Sequence, residues 1–204
     1  MKRYFVTGID TNIGKTVVSA ILTEALQADY FKPIQAGDLE KGDSKTVQAL
    51  LSNSKSKIWP ENFALKAAMS PHAAAELEEI TIQAKDISLP ESDNHLIVEG
   101  AGGLMVPINN EETYLDIMQT LGLEVILVSK NYLGSINHTL MTIRHLQQAN
   151  IPIKGIIFNG DIQMSSEKVI LEMTGIPYLG RVLNEDSVDA IMVSQYAEFF
   201  KKIL

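Results

Sequence analysis

Short apolar runs alternate with segments of helical period from one end of the chain to the other. Arg3–Thr7 reads as a strand, followed by a loop and a helix over Thr16–Ala28, where Val18, Ile21, Leu22 and Ala25 share one face. Tyr30–Lys32 reads as a second strand, ended by Pro33. His95–Glu99 is a strand closing on Gly100-Ala101-Gly102-Gly103. Glu124–Ser129 is apolar through its middle, the pattern of a strand covered on both faces. A helix over Ser135–Ala149 follows, with Ile136, Leu140, Ile143 and Leu146 as its buried stripe and Asn150 and Pro152 as its stop. Ile153–Asn159 is again a strand. A helix then starts at Ser165 or Ser166 and ends at Gly175. Tyr178–Val182 is the last strand and Val188–Lys202 the closing helix.

Residues 38–94 show the pattern least clearly. Two loop-like stretches, Ser52–Lys57 and Leu89–Asn94, lie around a helix that opens at Ser70-Pro71, where serine caps and proline occupies the first turn. The whole pattern predicts an α/β fold, a parallel β-sheet flanked by helices on both faces. No repeat, linker or low-complexity tract divides it, so residues 1–204 read as one domain.

Composition narrows the chemistry. The chain has no cysteine, which excludes disulfides, thiolate-held metals and a cysteine nucleophile. Seventeen Lys+Arg against 25 Asp+Glu argue against a broad nucleic-acid surface, so an anionic ligand needs a focused site. No apolar run approaches the roughly 18 residues of a membrane span. Met1-Lys2-Arg3 has the charge of a signal peptide but only Tyr4-Phe5-Val6 as the apolar stretch behind it, so the expected location is the cytoplasm.

The focused site is Gly8-Ile9-Asp10-Thr11-Asn12-Ile13-Gly14-Lys15-Thr16, between a predicted strand and a predicted helix. That is the setting of a phosphate-binding P-loop, whose amides and helix dipole face an anion. Lys15 would neutralise the β- and γ-phosphates and the Thr16 hydroxyl would ligate Mg²⁺. Five residues separate Gly8 from Gly14, one more than the usual pattern. Parallel sheets bind ligands at the carboxyl ends of their strands. There stand Lys32 in Lys32-Pro33-Ile34-Gln35-Ala36-Gly37, Glu99 before the glycine run, and Asp43 in the loop Gly42-Asp43-Ser44. Thr16, Asp43 and Glu99 together make an all-oxygen set suited to magnesium.

The ordered set GIDTNIGKT, KPIQAG, a following acidic residue, VEGAGG, and LGSINHT after a VILVS strand resembles the dethiobiotin synthetase family of P-loop NTPases, from residue 3 to about 160. The lengthened P-loop is that family's form. The MinD/ParA-type relatives carry an extra lysine early in the loop, where Thr11 stands here. The resemblance implies ATP- and Mg²⁺-dependent ureido ring closure on 7,8-diaminopelargonate with CO₂. It implies that Asn12, Ile13, Gly14, Lys15, Thr16 and Val17 hold the phosphates, with Asp43 and Glu99 completing the metal shell. Gly100, Ala101 and Gly102 would line the nucleotide side, and Asn159, followed by Gly160, would read adenine. Thr11 and Lys32 would contact the carbamate and the transferred phosphoryl group, with Ala36 in the substrate pocket. Gly134, Ser135, Ile136 and Asn137 would receive the substrate carboxylate from the partner subunit of a homodimer.

This chain departs from the family at Asn12, often acidic there, at Ala36, commonly serine, at Gly160-Asp161, and at Leu183, commonly proline. It is also somewhat short at its C-terminal end. Two other readings compete. Related amide-forming synthetases of the cobyrinate a,c-diamide type carry a glutaminase domain, for which 204 residues without cysteine leave no room. A non-catalytic nucleotide-dependent switch needs neither Lys32 nor the LGSIN segment. His72 and His138 read as polar helix-start residues, Trp59 as a packing anchor under a loop, and Glu76–Glu79 as a solvated helix face.

Overall fold

The computed structural model describes residues 1–204. In chain order the elements are β1 (Arg3–Gly8), α1 (Lys15–Leu26), β2 (Asp29–Phe31), β3 (Ile34–Ala36), α2 (Asp43–Leu50), β4 (Phe63–Leu65) and α3 (Pro71–Leu77). They continue with β5 (Leu96–Gly103), α4 (Tyr114–Leu121), β6 (Glu124–Lys130), α5 (Ser135–Gln148), β7 (Ile153–Asn159), α6 (Met164–Thr174), β8 (Tyr178–Val182) and α7 (Ala190–Phe200). Six strands form one sheet in the order β2-β5-β1-β6-β7-β8, and every pairing is parallel. The predicted α/β architecture is therefore the observed one.

The two faces of the sheet carry two cores. Tyr4, Val6, Tyr30 and Ile97 face α1, α2 and α7, packing with Val18, Ile21, Val47 and Phe200. Phe5, Phe31, Val98 and Val125 face the other way, toward α3, α4 and the 3₁₀ turn Ala84–Asp86. Neighbours along β1, β2 and β5 thus alternate between cores, as the pleat requires. Both faces are covered, which is why the central strands read as continuous apolar runs.

Four features differ from the sequence expectations. β3 and β4 pair as a separate parallel ribbon of three residues each. Asp43 is the first residue of α2 rather than a loop residue. β5 continues through the glycine run to Gly103, so Glu99 lies within the strand and not at its end. The buried stripe of α5 includes Thr139 and Thr142 beside Ile143 and Leu146, while Ile136 and Leu140 are only partly covered. The hydroxyls of Ser129 and Thr139 lie 2.9 Å apart, and Thr139 also donates to the Ser135 carbonyl, which admits threonine to that interface. Smaller shifts occur at helix starts. Ser70 caps α3 without a side-chain bond, and Ser165 and Ser166 lie inside α6, whose cap is Gln163.

Candidate active site

The strand order reverses around β1, whose neighbours β5 and β6 are reached by connections running in opposite directions. At such a point the loop after the central strand is left uncovered, and ligands bind there. That loop is the P-loop. Gly14 caps α1 at φ 89°, and a Cβ there would come within 2.2 Å of Asn159 Nδ2. Only glycine fits. Asn12 is also left-handed, at φ 58°. The amides of the first turn of α1, on Lys15, Thr16 and Val17, have no intrahelical acceptor and are free to face an anion.

A cleft of about 650 Å³ opens beside this loop. Thr11, Asn12, Gly14, Lys15, Thr16 and Val17 line it together with Lys32, Ala36, Asp43, Glu99, Ala101 and Gly102. The side chains meet at its floor. Thr16 Oγ1 lies 2.9 Å from both Asp43 Oδ1 and Glu99 Oε1. Lys32 Nζ is 2.7 Å from Asp43 Oδ2, 3.5 Å from Glu99 Oε1 and 3.2 Å from the Gly100 carbonyl, to which it donates. Lys15 Nζ donates to the Asp10 carbonyl at 2.8 Å, curled back over its own loop.

The electrostatics follow from burial. Lys32 and Glu99 are 3% and 1% exposed. Burial alone would lower the Lys32 pKa, but Glu99 and Asp43 reverse this and hold it above the ordinary lysine value. Burial likewise pushes Asp43 up, and Lys32, with the Thr16 hydroxyl, more than restores its acidity. Lys15 is different. Burial lowers it to about 8, with Lys32 adding repulsion and Glu99 and Asp43 only partly compensating. An anion between the two lysines would relieve that repulsion.

The same residues pass a chemical test for magnesium. One hydroxyl hydrogen on Thr16 faces two carboxylate oxygens at equal distance, so the cluster has more acceptors than donors. One hydroxyl and one or two carboxylates, with phosphate and water, are what Mg²⁺ commonly takes. The set here holds two carboxylates, and no group of three or more His, Asp or Glu side chains is placed to hold a metal anywhere in the structure.

Some expected residues stand apart from the cleft. Ile13 is buried beneath Gly8, and its carbonyl accepts from Asn159 Nδ2 at 2.8 Å. Asn159 therefore braces the P-loop at Gly14. Gly160 donates its N–H to the Val182 carbonyl, and Gly100 meets the cleft through the carbonyl that Lys32 binds. Gly134, Ser135, Ile136 and Asn137 open α5 but do not line this cleft. Ser135 is buried and its hydroxyl accepts from the Tyr132 N–H, so that group faces its own turn. Other residues escaped the sequence reading. Gln35 is buried and accepts the Asp43 N–H at 3.2 Å, fastening α2 to β3. Ala68, Met69, Ser70, Pro71 and Val106 form the far wall. Pro71 at a helix start was legible, but its distance from the P-loop along the chain concealed its place. Trp59 serves as the expected anchor, donating to Asp29 under Lys57. His138 is held by Tyr132 outside the cleft.

Switch-point sheet, glycine-pinned loop and the Lys15–Thr16 pair define a P-loop nucleotide-binding protein of the α/β class. Solved structures of the ParA family ATPase of Chlorobium tepidum and the cell division ATPase MinD of Pyrococcus furiosus share the fold. Their TM-scores are 0.63 and 0.62 over 100% of both chains, at 15% and 16% identity. The AAA domain family matches residues 2–192. At the level of sequence, the ATP-dependent dethiobiotin synthetase of Christiangramia forsetii is 51% identical, covering 100% of this chain and 98% of its own. That of Cytophaga hutchinsonii is 52% identical, over 97% and 96%. The chain belongs to the dethiobiotin synthetase family, and it is an ATP-dependent ligase. No helix is long and apolar enough to cross a membrane.

Proposed function

We propose that residues 1–204, as one cytoplasmic domain, join CO₂ to 7,8-diaminopelargonate at the expense of ATP and close the ureido ring of dethiobiotin, in the biosynthesis of biotin. The observation that carries this reading is Lys32. It is a buried cation held by two carboxylates beside the P-loop threonine, where a phosphoryl group would travel.

In this reading one amine of the substrate captures CO₂, losing a proton, to give a carbamate. A carbamate oxygen attacks the γ-phosphorus and ADP leaves, forming a mixed carbamic–phosphoric anhydride. The second amine attacks the carbonyl carbon, the C–O bond to phosphate breaks, a proton is lost and the ring closes. Holding both amines in one pocket makes that attack intramolecular. Lys15 and Lys32 offset the charge on the phosphoryl oxygens. Thr16, Asp43 and Glu99 would hold Mg²⁺, which when bound neutralises phosphate charge. Thr11 would touch the carbamate, beside Ala36. Asn159, followed by Gly160, would read adenine.

The substrate carboxylate needs hydrogen-bond donors of its own, apart from those that hold the phosphates. The amides opening α5 at Gly134–Asn137 are suited to it, and a homodimer would bring them across from the partner subunit. The test is phosphate release from MgATP, which must require both bicarbonate and the diamine. Equal release without the diamine would reject the reading in favour of a nucleotide switch.

A further inference from the structure

Glu99 is gripped on both of its oxygens. Oε1 faces Thr16 and Lys32, whereas Oε2 accepts a hydrogen bond of 2.9 Å from the Tyr30 hydroxyl. The pleat explains the meeting. Tyr30 pairs with Ile97 across β2 and β5, and Glu99, two residues further along β5, points to the same face. Tyr30 is fully buried, and so is its bond to Glu99.

Its backbone is equally constrained. The Tyr30 N–H donates to the Lys57 carbonyl and its carbonyl accepts from the Trp59 N–H, both at 2.9 Å, as a parallel bridge to Ile58. The phenol is therefore fixed from its own main chain outward. Phenylalanine would fill the same volume, so packing alone does not require the hydroxyl. The last torsion of a glutamate is broad, and four lone-pair sites on its carboxylate compete for donors. With Oε2 committed to Tyr30, Oε1 is the oxygen left for Thr16 and the phosphate side.

We infer that Tyr30 is a positioning residue for the phosphoryl-transfer site, acting through Glu99 by fixing which carboxylate oxygen faces Thr16. This rests on the proposed function only for the reaction that the site performs, because divalent cation binding beside a nucleotide can be read without it. Outer hydrogen bonds to metal-ligating carboxylates characteristically change affinity by about 10–100-fold when removed.

The experiment is Tyr30→Phe, with Mn²⁺ binding to the ADP complex followed by electron paramagnetic resonance. The expected result is Mn²⁺ affinity weakened about 10-fold, ADP affinity without divalent cation unchanged, and the same cation defect in the Mg²⁺ dependence of turnover. In a Glu99→Gln background the Tyr30→Phe change should add little, since both act through one carboxylate. A folded Tyr30→Phe protein with wild-type Mn²⁺ affinity would overturn the inference, as would full additivity with Glu99→Gln. If Tyr30→Phe does not fold, 3-fluorotyrosine placed at position 30 keeps the hydroxyl and reports directly. Its ¹⁹F resonance should move when Mg²⁺ joins the ADP complex, and an unmoved resonance rejects the inference. Failure of diamine-dependent turnover in the wild type would remove the proposed reaction and leave these binding results standing.

Discussion

The Lys32 ammonium lies 2.7 Å from Asp43 Oδ2, joining the residue after β2 to the first residue of α2. It is the short contact of a triad in which Lys32 and Glu99 are buried, Asp43 is 35% exposed, and Glu99 is the more distant partner. Removing the cation would leave the buried Glu99 carboxylate uncompensated beside the partly solvated Asp43. Lys32→Met should therefore reduce turnover by at least about 10³-fold, since a charge aimed at a transferring phosphoryl group is typically worth several kcal/mol. Leaving Glu99 buried without its cation should also lower stability, by less than the roughly 3–5 kcal/mol of a fully buried pair because Asp43 is partly solvated. ATP binding should weaken far less, because the P-loop amides are untouched. Stopped-flow phosphate release, urea unfolding and calorimetric ATP binding test the three parts separately.

Gly14 and Asn159 predict a second outcome. A methyl group at Gly14 would collide with the Asn159 amide at 2.2 Å, on a backbone already at φ 89°. Gly14→Ala should cost about 1–3 kcal/mol in strain and displace the Ile13 carbonyl from its 2.8 Å bond. Nucleotide affinity should fall while the circular dichroism spectrum stays that of a folded protein. Asn159→Ala in the same background should recover part of the stability, because it removes the clash. It should not recover nucleotide affinity, because the brace is gone as well.

The legible and illegible parts of this molecule divide by length and by environment. β6 and β7 were visible because runs such as Val125–Val128 and Ile156–Phe158 are buried on both sides and need no partner to be recognised. β3 and β4 have three residues each, too few to show a period of two. α2 and α4 have eight residues each, just over two turns, so their periodicity was lost among the surrounding loops. Lys15 and Thr16 were found through the glycine-bounded loop between strand and helix, and Lys32, Asp43 and Glu99 because charged residues following strands stand out in a parallel sheet. Tyr30 was not. A tyrosine inside an apolar strand looks like core, and only the pairing of β2 with β5 reveals the carboxylate beside it.

Asp29 should govern acid stability at the opposite end of β2. Its carboxylate accepts from Ser92 Oγ at 2.7 Å, Trp59 Nε1 at 2.9 Å, the Lys57 N–H at 3.0 Å and Asn94 Nδ2 at 3.3 Å. Burial raises its pKa, but these donors outweigh burial and hold it below the ordinary value. The unfolded chain therefore takes up a proton first as pH falls. The stabilisation is complete above about pH 4 and is lost as pH drops through the depressed folded value. Asp29→Asn should cost roughly 2–3 kcal/mol at neutral pH, because an amide nitrogen would face donors. Its stability should also vary less than that of the wild type below pH 4, as urea titrations at several pH values would reveal.

Tyr114 predicts the opposite sign. It opens α4 behind the Thr113 capping box and is 1% exposed, yet its hydroxyl has no partner in the protein. Burial raises its pKa, so the phenol stays neutral and removing it deletes no charge. A buried donor without an acceptor costs about 1–3 kcal/mol relative to one that is satisfied. Tyr114→Phe keeps the ring that packs with Phe31 and Val98 in the second core and discards only that hydroxyl. Unfolding free energy should stay level or rise by up to about 1 kcal/mol, with the urea m-value unchanged. Turnover should also hold, because the hydroxyl touches none of Lys32, Asp43 or Glu99 within hydrogen-bond distance. A loss of more than about 1 kcal/mol would mean that the hydroxyl is satisfied in solution by an ordered water, and the prediction would fail.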